Sequence, residues 1–186
     1  MRAGILAVQG DFAEHRAALE RLGVSCIELR QEEDLKNQFD FLVLPGGEST
    51  TQGKLLRELN MLEPIKTKIQ SGLPVLATCA GLILLAENIS NDSHTYFGTL
   101  PVTVHRNAYG RQLGSFHING KFGNLNDVPM TFIRAPYIEA CSPEVTVLSN
   151  VDGNIVAVQY ENQLAMSFHP ELDEDTRVYQ KFIEKI

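Results

Sequence analysis

The chain has 186 residues, 44% hydrophobic and 21% charged, a content that fits one soluble domain, 1–186, with a filled core. A formal net charge of -7 argues against nucleic-acid or anionic-membrane partners, and no apolar run approaches the roughly 20 residues of a membrane span. Three widely spaced cysteines make neither a disulfide framework nor a metal site, and no signal-peptide layout is present, so the expected setting is a reducing cytoplasm.

Residues 3–8 read as a buried strand closed by Gln9-Gly10. Asp11 is placed to cap the next helix, with Phe12, Ala17, Leu19 and Leu22 as its apolar face and Gly23 as its terminator. Residues 24–29, containing Cys26, form a second strand, 32–36 a helical turn, and 41–44 a third, wholly apolar strand. Strand, helix and strand joined by short links predict a parallel sheet flanked by helices. At the end of the third strand stands Pro45-Gly46-Gly47-Glu48-Ser49-Thr50-Thr51, where ligands bind in such sheets. Ser49 or Thr50 is the expected helix cap. The Gly46–Gly47 peptide, bare of Cβ on both sides, is expected to rotate at little cost.

Residues 72–85 carry the strongest chemical signal. A short apolar strand over 74–77 runs into Thr78-Cys79-Ala80-Gly81 and then an apolar helix through 87. A cysteine at a strand-to-helix turn is exposed by the bend, as the serine of a nucleophile elbow is, and sits at a helix N-terminus that favours negative sulfur. Ala80 and Gly81 are small enough for a substrate carbonyl to reach the Ala80 N–H. The alternative is a buried structural cysteine, and a general base elsewhere decides between them. The loop at 45–51 and this turn end successive strands, so Gly47 is placed to give a second oxyanion donor.

After a polar stretch at 88–94 come strand-like runs at 98–105, 130–133, 145–148, 155–160 and 163–168, antiparallel in style, with tight turns at 152–154 and 161–162. Cys141 lies among them as a second structural thiol beside Cys26. Ser167-Phe168-His169-Pro170-Glu171 closes the series: His169 can serve Cys79 as base, and Glu171 can hold the other ring nitrogen. Residues 175–186 form a last helix with Val178, Phe182, Ile183 and Ile186 inward. The polar run 106–112 and the sequence Phe132-Ile133-Arg134-Ala135-Pro136 each offer an arginine able to clamp a carboxylate. The architecture expected is α/β: three layers, with a mixed, mostly parallel sheet and helices on both faces.

With these pieces assembled, the sequence resembles the class I (triad) glutamine amidotransferases, a flavodoxin-like α/β class, and within them the PdxT family of pyridoxal 5′-phosphate synthase glutaminase subunits. The matching motifs are Leu-Pro-Gly-Gly-Glu-Ser-Thr-Thr (44–51), Thr-Cys-Ala-Gly-Leu-Ile (78–83), Arg-Asn-Ala-Tyr-Gly-Arg-Gln (106–112), Phe-Ile-Arg-Ala-Pro (132–136) and Ser-Phe-His-Pro-Glu-Leu (167–172). The second and fifth identify the class; the others identify the branch. The resemblance implies Cys79 as nucleophile, His169 as base and Glu171 as its orienting partner, with Gly47, Glu48, Ser49, Arg106, Ile133 and Arg134 lining a glutamine pocket. It implies hydrolysis of L-glutamine through a thioester, with no metal or organic cofactor. It also implies a partner, a synthase subunit of the PdxS family that takes the ammonia. One departure from relatives is Gly114-Ser115-Phe116-His117, where Asp-Ser-Phe-Glu is common. The alternatives are the glutaminase of another pathway, such as histidine biosynthesis, and a non-catalytic glutamine-sensing subunit.

Overall fold

The structure is a computed structural model and describes residues 1–106 and 114–186. A ten-stranded sheet organises it: β1 (Arg2–Leu6), β2 (Ser25–Leu29), β3 (Phe41–Leu44), β4 (Val75–Thr78), β5 (Ala86–Ile89), β6 (Leu100–His105), β9 (Tyr137–Cys141), β10 (Thr146–Val151), β11 (Asn154–Tyr160) and β12 (Gln163–Met166). The order is β2-β1-β3-β4-β12-β11-β9-β6-β5, with β10 branching from β11. β7 (Ser115–Phe122) and β8 (Leu125–Ile133) form a separate antiparallel hairpin. The parallel block runs from β2 to β12. Thus β12, expected to be antiparallel in style, pairs antiparallel with β11 but parallel with β4, Met166 opposite Thr78. That register brings the carboxyl ends of β3, β4 and β12 level, which is where the site lies.

Both sheet faces are covered. On one lie α2 (Ser49–Glu58), α3 (Leu62–Gln70) and α4 (Ala80–Leu85), packed on Leu6, Leu42, Leu44, Val75 and Ala77. On the other, α1 (Phe12–Arg21), α5 (Arg177–Ile183) and the β7–β8 hairpin pack on Ala3, Ile5, Phe41, Val43 and Leu76. Adjacent residues of β1, β3 and β4 thus serve opposite faces, which is why these runs are apolar throughout rather than alternating. Each large side chain fully buried there stabilises the fold by roughly 1.5–3 kcal/mol. No helix among the described residues is long and apolar enough to cross a membrane.

Local chemistry explains most boundaries and several departures from expectation. Gly23 (φ 76°) ends α1 in a Schellman pairing, Gly23 N–H to Glu20 O and Val24 N–H to Leu19 O. Asn60 (φ 55°) does the same for α2, with Met61 N–H donating to Leu56 O, and so separates α2 from α3. The helix after Cys79 stops at Leu85, not 87, because Phe97 and Thr99 N–H groups take the Leu84 and Leu85 carbonyls and Ala86–Ile89 is drawn into the sheet beside β6. The inner face of α1 is His15, Ala18 and Leu19. In the last helix Val178, Tyr179 and Phe182 are inward and Ile186 is exposed. β5, β7 and β9 had no distinct signal in the sequence. Cys26 and Cys141 are half-buried free thiols, and burial pushes Cys26 up to about 11.

Candidate active site

Cys79 occupies the turn between β4 and α4 with φ 46° and ψ -100°, a strained conformation for a residue with a side chain. Its amide donates to Met166 O at 2.8 Å and its carbonyl accepts from Ile83 N–H, so β12 and the first turn of α4 hold it from both sides. The turn tightens against β3: a Cβ on Gly81 would lie 2.2 Å from Leu44 O. Gly81 is therefore small for the sake of the sheet rather than to admit a substrate. With six residues, α4 also offers a shorter macrodipole than the sequence implied. The Cys79 sulfur faces Ile133 O at 4.0 Å. Ala80 follows it and is buried.

His169 comes off the end of β12, its amide tied to Thr131 O on β8. Its Nδ1 meets Glu171 Oε1 at 2.7 Å, both side chains buried, and Asp11 Oδ2 at 3.5 Å. Pro170–Leu172 forms a one-turn 3-10 helix, which brings the Glu171 carboxylate back to the ring. Burial opposes a charged ring, but the facing Asp11, Cys79 and Glu171 side chains outweigh it and raise His169 to about 12. The imidazolium is the favoured form. Its Nε2 is buried with no hydrogen-bond partner among the described residues, while the Cys79 thiol is near enough to act on the ring. Asp11, His169 and Glu171 place three ligand-type atoms within 4.8 Å of one another; the 2.7 Å contact makes them a ring held by carboxylates.

Sequence reasoning gave Asp11 only a capping role. It is the N-cap residue of α1, but its side chain caps nothing and turns to His169 instead, which lowers its own pKa. Its amide does more: Asp11 N–H donates to Gly46 O at 3.1 Å, and Gln52 Nε2 lies 3.4 Å from the same oxygen. The Gly46–Gly47 peptide is consequently held, contrary to the expectation of easy rotation. Gly46 packs on the imidazole so closely that a Cβ would sit 2.4 Å from His169 Cε1. Gly47 adopts φ 146°, open to glycine, and its missing Cβ makes room for Gln9 Oε1, which accepts from Glu48 N–H at 2.8 Å. Glu48, rather than Ser49 or Thr50, caps α2, accepting from Thr51 N–H at 2.7 Å and Thr50 N–H at 3.3 Å. Ser49 is buried at the first helical position.

These elements surround a pocket of about 420 Å³ lined by Gln9, Gly10, Asp11, Gly47, Glu48, Ser49, Cys79, Ile83, Arg106, Ile133, Arg134 and His169. All six residues expected to line a pocket are here, with Cys79 and His169; Glu171 and Ala80 lie behind the wall. A wider hollow of about 900 Å³ at the opposite strand ends, around Lys36, Asp40 and Lys68, is lined by no cysteine or histidine. Arg106, just past β6, has its fork engaged: Asp92 at 2.6 Å, Thr50 Oγ1 at 3.0 Å and Glu48 at 3.4 Å. Its first duty is to tie the rim together. Arg134 (φ 44°) follows β8, is exposed, and donates its amide to Gly114 O. The rest of the 106–112 motif lies outside the described residues. In the segment that departs from relatives, His117 reaches Thr131 Oγ1 at 2.9 Å and is not among the pocket's lining residues. Gln9, Gly10, Asp11 and Ile83 are the lining residues sequence reasoning missed. The signal of the first three was position alone, just past the carboxyl end of β1.

A cysteine on a strained strand-to-helix turn, an imidazole beside it and a buried carboxylate behind the ring define an α/β protein equipped for nucleophilic cysteine chemistry. Residues 5–186 match the SNO glutamine amidotransferase family, and the chain belongs to it. It is 62% identical over 186 residues to the pyridoxal 5′-phosphate synthase subunit PdxT of Desulfitobacterium hafniense (strain DSM 10664 / DCB-2), covering 100% of this chain and 94% of that protein. It is 53% identical to the subunit of the same name from Streptococcus pneumoniae (strain CGSP14), covering 99% and 96%. A crystal structure of a glutamine amidotransferase superposes with a TM-score of 0.92 at 41% identity, covering 98% of this chain and 97% of that one.

Proposed function

We propose that this chain hydrolyses L-glutamine to L-glutamate and ammonia and supplies the ammonia to a separate synthase subunit, of the PdxS family, for pyridoxal 5′-phosphate synthesis. The observation that carries the reading is the line Cys79–His169–Glu171 at a strand-end pocket, in a chain similar along its whole length to subunits of that synthase. Cys79 sulfur attacks the side-chain amide carbon, and the oxyanion forms next to the Ala80 and Gly47 N–H groups. His169, held as the imidazolium by its carboxylates, gives the Nε2 proton to the departing nitrogen. The thioester remains. The now neutral ring takes a proton from water, whose oxygen attacks the thioester; glutamate leaves and the sulfur and imidazolium are restored. No step calls on a metal or organic cofactor. Glu48 offers charge to the substrate's ammonium group, and Arg134 and Arg106 to its carboxylate, with Ile133 and Ser49 contributing backbone groups and wall.

The test uses the chain together with a synthase subunit, measuring glutamate release and glutamine-dependent product. Cys79→Ala is expected to abolish both while retaining glutamine binding and the thermal transition. Wild-type turnover in that variant would remove Cys79 from the chemistry.

A further inference from the structure

Behind the triad lies a second buried histidine that the reaction as described does not use. His15, on α1, is fully buried, as are Thr78, Tyr179 and the Glu171 side chain around it. Its Nδ1 meets the Tyr179 hydroxyl at 2.8 Å, and its Nε2 lies 3.0 Å from Thr78 Oγ1 and 3.5 Å from Glu171 Oε2. Glu171 spends Oε1 on His169, and its Oε2 is buried and makes no hydrogen bond among the described residues, with His15 Nε2 facing it at 3.5 Å. A buried carboxylate oxygen without a donor is expensive, so the nearest donor position carries weight.

We propose that His15, fixed as the Nε2–H tautomer by the Tyr179 hydroxyl, is a positioning residue that holds the Glu171 carboxylate against His169. The proposal rests on the glutaminase reading for its consequence but not for its geometry. Burial lowers the His15 pKa, against the pull of Glu171, so the ring carries a single hydrogen at neutral pH. That hydrogen has two possible sites. On Nδ1 it would leave the Nε2 lone pair to accept from the Thr78 hydroxyl, with no hydrogen between the ring and the Glu171 carboxylate, an acceptor only. On Nε2 it lies between Thr78 Oγ1 and Glu171 Oε2, while Tyr179, able to donate, satisfies Nδ1. The carboxylate therefore selects the tautomer. Two elements fix the His15 ring, β4 through Thr78 and α5 through Tyr179, and α1 carries that ring up to the carboxylate oxygen. Thr78 also precedes Cys79 directly, so the same cluster braces both ends of the triad.

In the assembled complex, His15→Leu is expected to lower kcat roughly 10- to 100-fold at nearly unchanged KM, the scale of one hydrogen bond to a charged group. His15→Gln, whose amide nitrogen reaches the same position as Nε2, is expected to recover most of that loss. In the wild type, ring ¹⁵N shifts should report the Nε2–H tautomer, and Tyr179→Phe should blur that preference and lower kcat several-fold. Equal losses in Leu and Gln variants, a folded Leu variant with wild-type kcat, or an Nδ1–H ring would each overturn the assignment. If the Leu variant does not fold, the Gln variant, Tyr179→Phe and the ring shifts decide. A wild-type complex that hydrolyses no glutamine would sink the functional reading instead, while the ring shifts would still decide the tautomer.

Discussion

Replacing Gly46 with alanine adds a single methyl at the tightest point of the site. The added Cβ would stand 2.4 Å from His169 Cε1, 2.9 Å from Nδ1 and 2.8 Å from Asp11 Oδ2. Ordinary carbon contacts need about 3.5–4.0 Å, so something must move by about 1 Å. Gly46 is held through its carbonyl by Asp11 N–H, and its backbone requires no left-handed conformation, so strain falls on the imidazole rather than on the turn. The ring can yield only by lengthening the 2.7 Å bond to Glu171 or by swinging Nε2 away from Cys79. A misplacement of about 1 Å in a reacting group costs on the order of 100-fold in rate. The overpacking should cost about 1–3 kcal/mol of stability. The assay is glutamate release by the complex, with kcat and KM separated and thermal unfolding recorded alongside. The expected result is a kcat loss of about 100-fold with a small change in KM. A Gly46→Ala protein within about threefold of wild-type kcat would show that His169 is not pressed against this glycine, and the geometry of the base would need to be redrawn.

His169 also makes a prediction about stability and pH. Its pKa is raised from 6.5 to about 12 in the fold, so its contribution is complete below pH 6.5 and is withdrawn as pH rises from there toward 12. The difference in thermal stability between wild type and His169→Asn should narrow between pH 6.5 and 10; a widening gap would contradict the carboxylate-held imidazolium. Arg106→Ala should raise KM chiefly, because it frees Glu48 and Asp92 at the rim without touching the reacting atoms. A pure kcat loss would move that arginine into the catalytic scaffold. Glu48→Ala, which removes the cap of α2, should lower stability by about 1 kcal/mol and weaken glutamine use together; unchanged unfolding would show that the cap is replaceable.

Much of this protein could be read before any coordinates. The apolar runs at 41–44 and 74–77 read as central parallel strands, because only a sheet covered on both faces hides the side chains of such a run. A cysteine after the second of them and a His-Pro-Glu after the run at 163–168 then had to meet if those strands were neighbours. The glycine at 23 marked its helix end by local backbone preference alone. What the chain order could not supply was anything set by contact between distant segments. The short α4 and the strand that follows it depend on Phe97 and Thr99 arriving to cap the helix. Asp11 is a helix cap by sequence and a partner of His169 by tertiary placement, since one carboxylate cannot point both ways. The Gly46–Gly47 peptide is free in a local view and held once Asp11 and Gln52 pack against it. His15 carried no signal of its own in the sequence. Its role exists only because β4, α5 and the turn at Glu171 close around it, leaving a buried carboxylate oxygen whose nearest donor lies more than 150 residues away in the chain, a distance that local propensity does not encode.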